Sequence, residues 1–323
     1  MSKPKLKIAF QYWCPEIDAE SCALMDALRL KYEVVVTWPA DVVFFMCYNP
    51  PPFRGLLGHF FRRRGFMKKG FGTPDLWWMK GDHKLVYYTP EKNVPNMSLC
   101  DLAFGHAPEE EVGAANYHRM PFYALTYWND RQELLKPRLE RYPWKQWRER
   151  QFCEFVYSMP MPEREAFFDT LNERERVNAP GRSRNNCAAI GGYATPEEHR
   201  QASDCWHGPR LDYAAQHKFA VSHENSDVPG YVTEKIVSAF LAGCIPLYSG
   251  SDYAVKDFNP KAFLHMKDFE SPEAMAEEAV RLYRDEEACR AILEEPIFRN
   301  NELPPYFQKE WILECLEPLL TEK

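Results

Sequence analysis

The sequence predicts an α/β protein of two units, and three observations predict it. Strand-length runs rich in β-branched and aromatic residues alternate with stretches of helical apolar spacing, the pattern of a mostly parallel sheet. The alternation breaks at a charged, proline-interrupted stretch, residues 134–150 (LLKPRLERYPWKQWRER), and restarts at FCEFVYSMP. The 323 residues exceed what one hydrophobic core usually serves. The expectation is an N-terminal domain over residues 1–148 and a C-terminal domain over 149–323, with the break as a linker.

In chain order, LKIAFQYW (6–13) reads as a strand and AESCALMDALRLKY (19–32) as a helix. YEVVVTW (32–38), DVVFFMCY (41–48), KLVYYT (84–89) and LCDLAFGH (99–106) read as further strands. The second unit opens with FCEFVYSMP (152–160) as a strand and PEREAFFDTLNER (162–174) as a helix. KFAVS (218–222) and CIPLYSG (244–250) are strands around TEKIVSAFLAG (233–243), a helix with Thr233 as N-cap and Gly243 just past its end. Its buried stripe is Ile236, Val237, Phe240 and Leu241. SPEAMAEEAVRLYRDEEACRAILEE (271–295) reads as one or two surface helices. The tail PYFQKEWILECLEPLL (305–320) puts Trp311, Ile312, Cys315, Leu316, Leu319 and Leu320 on one face, a helix that packs on a domain, with the N-terminal one as a candidate. Its polar face carries Glu310, Glu314 and Glu317, unlike the basic face of a membrane-surface helix.

The stretch from Phe53 to Lys84 is rich in Gly, Pro, aromatic and basic residues. It reads as a long surface insertion; acceptor binding, peripheral contact with an anionic membrane and nucleic-acid binding are the sharper alternatives. Apolar residues at 45% and charged residues at 27% are ordinary for a globular chain. The net charge of -7 argues against nucleic acid as a partner. Ten cysteines are scattered without a C-x-x-C pair or a zinc-type Cys/His spacing, so they read as buried thiols in a reducing compartment, and no metal site is expected. The N-terminus lacks a signal-peptide apolar stretch, and no run approaches about 18 apolar residues. The expectation is a cytoplasmic protein, with peripheral attachment to the inner membrane left open.

The segment HENSDVPGYVTEKIVSAFLAGCIPLYSG (223–250) concentrates the chemistry. It is a strand-end loop followed by a helix and a strand, and ligands of such units bind beyond the strand's carboxyl end. Lys235 lies in the helix's first turn, where a cation costs about 0.3–1 kcal/mol against the helix dipole. A bound phosphate, held also by the free N–H groups of that turn, offsets this cost; a solvated lysine is the bland alternative. A sugar nucleotide suits the set: its diphosphate to Lys235, its hydroxyls to Glu234, Asn225 and Tyr231. There is no G-x-G-x-x-G, no G-x-x-x-x-G-K-[ST] and no D-x-D, so Lys and Arg are left to neutralise a diphosphate.

FAVSHENSDVPGYVTEKIVSAFLAGCIPLYSGS (219–251) resembles the donor motif of the α-1,3/4-fucosyltransferases of glycosyltransferase family ten, and VKDFNPKAF (255–263) the segment after it. VYYTPEKNVPNMSLCDLAFGH (86–106), FCEFVYSMP and APGRSRNN (179–186) are similar to that family's other motifs, in order. The resemblance implies a GT-B fold of the bacterial type, two Rossmann-like domains facing a cleft, the N-terminal one binding acceptor and the C-terminal one GDP-fucose. It implies inverting transfer of L-fucose to N-acetyllactosamine- or lactose-type acceptors, α-1,3 foremost, with no cofactor and no metal required for catalysis. By motif position, Lys235 and Arg182 contact the diphosphate, Asn225, Tyr231 and Glu234 contact nucleotide or fucose, and Glu91 is the general base. Glu234 also answers the positive charge that grows on the sugar. Arg184 is a substitute for Arg182 two residues on. Two departures stand out: the base sits in Pro90-Glu91-Lys92 where bacterial members read G-E-N, and His223 replaces an apolar residue or Phe and reads as a packed histidine. The rival readings are a transferase of this fold with another donor or acceptor, and a binding protein of the same fold without turnover.

Overall fold

Among the described residues, eleven strands build two all-parallel sheets. The computed structural model describes residues 2–14, 17–46, 81–190 and 207–321. The first sheet holds β1 (Lys5–Gln11), β2 (Glu33–Val36), β3 (Val42–Phe45), β4 (Lys84–Tyr88), β5 (Leu102–Gly105) and β6 (Tyr117–Arg119) in the order β2-β1-β3-β4-β5-β6. The second holds β7 (Gln151–Glu154), β8 (Val177–Asn178), β9 (His217–His223), β10 (Ile245–Ser249) and β11 (Leu264–His265) in the order β11-β10-β9-β7-β8. Counted from each sheet's first strand, the first runs 2-1-3-4-5-6 and the second 2-1-3-4-5, the doubly wound order whose direction switches between strands one and three. Central β3 reads VVFF and is buried throughout, the continuous apolar run of a strand covered on both faces.

The chain divides into two units. The first comprises Met1–Asn129, Val228–Tyr231 and Pro304–Lys323; the second comprises Asp130–Asp227 and Val232–Leu303. In the first, α1 (Ala23–Arg29) buries Ala23, Leu24, Met25, Ala27 and Leu28. The C-terminal helix Lys309–Thr321 packs against it, burying Ile312, Cys315, Leu316 and Leu319, with Lys31 and Glu317 paired at 2.6 Å on the rim. In the second, α2 (Pro162–Arg174), α3 (His207–Ala214) and α4 (Glu234–Leu241) flank the sheet, and residues 271–295 form two helices, Pro272–Arg284 and Glu286–Glu294. Helix α4 is buried on every side apart from Glu234, not only along an apolar stripe.

Residues 134–150, expected as a linker, instead form short turns packed on the second unit. Pro137 and Pro143 each precede a single helical turn, Arg138–Arg141 and Trp144–Trp147. Their polar groups close the far end of α4. Arg141 donates to Phe240 O and Leu241 O at 3.0 and 2.9 Å, Tyr142 Oη to Leu241 O at 2.9 Å, Arg150 to Ala242 O at 2.8 Å and Trp147 Nε1 to Gly243 O at 2.7 Å. Carbonyls at a helix C-terminus lack intrahelical partners and carry the negative end of the dipole, so cations suit them. Charge that reads as solvated in the sequence is a collar of donors in the fold.

The expected strand 41–48 ends in β3 at Phe45. The insertion from Phe53 to Lys84, with its acceptor, membrane and nucleic-acid readings, lies outside the described residues except for its last four. No helix among the described residues is long and apolar enough to cross a membrane.

Candidate active site

In the second unit the order switches between β7 and β9, and their carboxyl ends carry the charged groups. β9 ends at His223 and passes straight to Glu224 and Asn225. Helix α4 begins at Glu234, and Lys235 in its first turn does not face solvent. Its ammonium donates to Thr233 Oγ1 at 2.9 Å, Glu224 Oε2 at 3.2 Å and Glu234 Oε1 at 3.3 Å. Glu224 in turn accepts the Thr233 backbone N–H and hydroxyl, each at 2.7 Å. An anion therefore sits at the positive end of the dipole, and the lysine neutralises it. Thr233 occupies the N-cap position, yet its hydroxyl makes no capping bond; Glu224 and Lys235 occupy it.

Exposure separates the two carboxylates. The Glu224 side chain is 0% exposed and that of Glu234 25%, with Lys235 at 10% between them. Burial pushes the Glu224 pKa up, against the pull of Lys235 and Thr233. Burial acts the same way on Glu234, but Lys235 and Arg210 of α3 overcome it and bring its pKa down to about 2. Both carboxylates thus bear on Lys235: Glu234, held ionised, reaches solvent, and Glu224 lies shielded beneath it.

The loop after β9 is held by Arg164 in the first turn of α2. Arg164 Nη2 donates to His223 O and Glu224 O at 3.1 Å each and to Asn225 Oδ1 at 2.8 Å. Its guanidinium lies 3.9 Å from the centre of the Tyr157 ring. The Tyr157 hydroxyl accepts the His223 N–H at 2.8 Å and lies 2.9 Å from Val221 O. His223 is a packed histidine: its ring lies 4.7 Å from Phe167, and burial beside Arg164 drives its pKa down to about 3. The loop carrying Arg182 rests on the same tyrosine. Ser183 N–H donates to Tyr157 O at 3.0 Å, and a Cβ at Gly181 would fall 2.2 Å from that oxygen, an approach only glycine permits. Arg184 is occupied by Asp169 at 2.6 Å, whereas Arg182 is exposed with no side-chain partner among the described residues. The structure thus separates the two arginines that the sequence leaves interchangeable.

Glu91 and Tyr231 belong to the first unit. Glu91 is half-buried, three residues beyond the carboxyl end of β4, with its carbonyl accepting from the Thr89 hydroxyl at 3.2 Å. Tyr231 is buried, its ring edge-on to His106 at 5.1 Å. Gly230 before it has φ +76° and packs on the His106 carbonyl, where a Cβ would fall 2.0 Å away. Arg119 clamps both, donating to His106 O at 3.1 Å and Gly230 O at 3.2 Å. Burial and nearby Arg119 bring the His106 pKa down to about 4, against a backbone hydrogen bond to Lys92. His106 therefore touches both the Glu91 loop and the Tyr231 segment.

Asn225, Glu234 and Lys235 gather at the second unit's switch point, with the Arg182 loop on Tyr157; in the first unit, Tyr231 and Lys92, the residue after Glu91, both meet His106. Arg164, Arg210 and His106 carry no role in the sequence reading, and Glu224 enters it only as part of the polar loop before α4. Arg164 did leave a signal: with Phe167, Phe168 and Leu171 it completes the buried i, i+3, i+4, i+7 stripe of α2.

Two doubly wound parallel domains, one with an ionised carboxylate and basic groups at its switch point, make a fold of the GT-B type. Residues 146–293 match the family model for glycosyltransferase family 10 (fucosyltransferase), C-terminal part. An α-(1,3)-fucosyltransferase of Helicobacter pylori is 33% identical over 217 residues, covering 58% of this chain and 42% of the relative. A putative fucosyltransferase of Acanthamoeba polyphaga mimivirus is 27% identical over 149 residues, 46% of this chain and 24% of the relative. The chain thus spans less than half the length of these relatives. A crystal structure of an α1,3-fucosyltransferase with GDP-fucose superposes with a TM-score of 0.70 at 24% identity, covering 100% of this chain and 92% of that one, a likeness of fold.

Proposed function

We propose that the protein transfers L-fucose from GDP-fucose to a GlcNAc hydroxyl of an N-acetyllactosamine-type glycan, forming an α-1,3 linkage with inversion. The family match over residues 146–293, which spans the switch-point cluster, carries the reading. The acceptor hydroxyl attacks the fucose anomeric carbon as the bond to GDP breaks, and Glu91 takes the hydroxyl proton. Positive charge grows on the sugar, where the solvent-reaching, ionised Glu234 answers it. Negative charge grows on the leaving diphosphate, where Arg182 and Lys235 answer it; such stabilisation is worth about 2.7–4 kcal/mol per group. Asn225 and Tyr231 hold the nucleotide or the sugar.

Absence of D-x-D from the sequence supports a reaction in which cationic side chains, not a bound metal, neutralise the diphosphate. The basic, aromatic stretch from Phe53 to Lys84 supports a peripheral membrane contact near a glycolipid acceptor. The test is incubation with GDP-fucose and N-acetyllactosamine, read by mass spectrometry with and without chelator. A fucosylated product that persists in chelator is expected. GDP-fucose binding without product on lactose, type-1 or type-2 acceptors would make the protein a binder.

A further inference from the structure

We infer that Arg164 is a positioning residue for the nucleotide site, turning Asn225 so that its amide nitrogen, not its oxygen, faces the ligand. The inference rests on the donor-site reading above. Arg164 is a cation in the first turn of α2, where the dipole disfavours it, and it is only 3% exposed. Its guanidinium stacks on Tyr157, and Nη2 meets three oxygens of the loop: two carbonyls, at His223 and Glu224, and Asn225 Oδ1. A guanidinium has donors and no acceptor, so the Asn225 amide can turn only its oxygen toward it. The NH2 group then points the other way, on an exposed residue beside the buried Glu224. A donor so presented selects an acceptor: a phosphate or ribose oxygen of the nucleotide. The same arginine also fixes the Glu224 carbonyl, so the end of β9 sends Glu224 beneath the helix and Asn225 outward.

Three measurements test this, with GDP as the probe. Asn225→Asp keeps an oxygen for Arg164 and replaces the donor with an anion; GDP affinity by calorimetry should fall at least about tenfold with no loss of thermal stability. Affinity equal to the unmodified protein would overturn the orientation. Arg164→Lys and Asn225→Ala should each weaken GDP about tenfold, while the double variant should be no more than about twofold weaker than Asn225→Ala. Fully additive losses would show that Arg164 does not act through Asn225. Without ligand, the Asn225 side-chain amide signals of 15N-labelled protein, identified by their loss in Asn225→Ala, should lie away from exposed-amide positions and move there in Arg164→Lys. Exposed-amide positions in the unmodified protein would overturn the proposal even if Arg164→Lys does not fold. Failure of the unmodified protein to bind GDP would sink the donor-site reading, and the amide signals would still decide the Arg164–Asn225 relationship.

Discussion

Glu224 and Lys235 form an ion pair at 3.2 Å whose carboxylate is fully shielded from solvent. Breaking a buried pair from one side leaves a charge without compensation and costs about 3–5 kcal/mol. Lys235→Ala is therefore expected to lose both GDP binding and that much stability. Lys235→Ala with Glu224→Gln should recover part of the stability and none of the binding, as measured by urea unfolding and GDP titration on the same samples. Recovery of both would remove the phosphate role from Lys235.

Glu234 is the companion carboxylate that reaches solvent. Glu234→Gln retains the shape and loses the charge. We expect kcat for fucose transfer to fall about 100-fold while GDP affinity, measured without the sugar, stays within a few-fold. A loss confined to KM would assign Glu234 to binding alone.

Glu91→Gln should keep GDP affinity and lose transfer by about 100-fold or more. The acidic limb of the kcat/KM profile should vanish with it. Near-normal turnover would place the base elsewhere.

Buried histidines set an acid limit to the fold. His106, His217 and His223 have pKa values brought down to about 4, 4 and 3, mainly by burial. Below the unfolded value of 6.5 they bind protons only when unfolded, so their contribution is complete above 6.5 and declines toward 4, at about 1.4 kcal/mol per pH unit each. Glu154 works in the opposite sense: burial raises it to about 7, and its contribution, complete below 4.5, is lost as pH rises through 7. His223→Phe keeps a ring against Phe167 and should raise stability at pH 5 by about 2 kcal/mol relative to its effect at pH 7.5, read from chemical denaturation at both values.

Arg138 anchors the collar below α4. It is buried, donates to Ala262 O at 3.1 Å and Cys244 O at 3.4 Å, and also reaches Ile292 O. Arg138→Met should cost about 3 kcal/mol by leaving buried carbonyls unpaired, a drop visible in the melting temperature. GDP affinity measured well below that temperature should not change.

In the second unit, the elements around the candidate site are legible in the sequence. PEREAFFDTLNER became a helix over the same residues, and KFAVS, TEKIVSAFLAG and CIPLYSG became β9, α4 and β10. There, periodicity and capping residues agree with the final packing. Lys235 reads as a cation at the wrong end of a dipole, and the structure answers that anomaly with Glu224 and Thr233. What the sequence hid is long-range. Glu224 reads as a polar loop residue until β9 and α4 bring its carboxylate onto Thr233 and Lys235. Arg138, Arg141 and Arg150 read as linker charge because their partners are carbonyls about a hundred residues away, and backbone acceptors leave no mark in composition.

Pro304–Lys323 belongs to the first unit, although it is separated in sequence from most of that unit by the whole of the second. During synthesis, the apolar face of α1 must therefore wait until the second unit has been made before the Lys309–Thr321 helix can cover it. A chain released early would leave that face open to aggregation or to chaperones. The order of translation thus leaves the first unit incomplete until the second has been made.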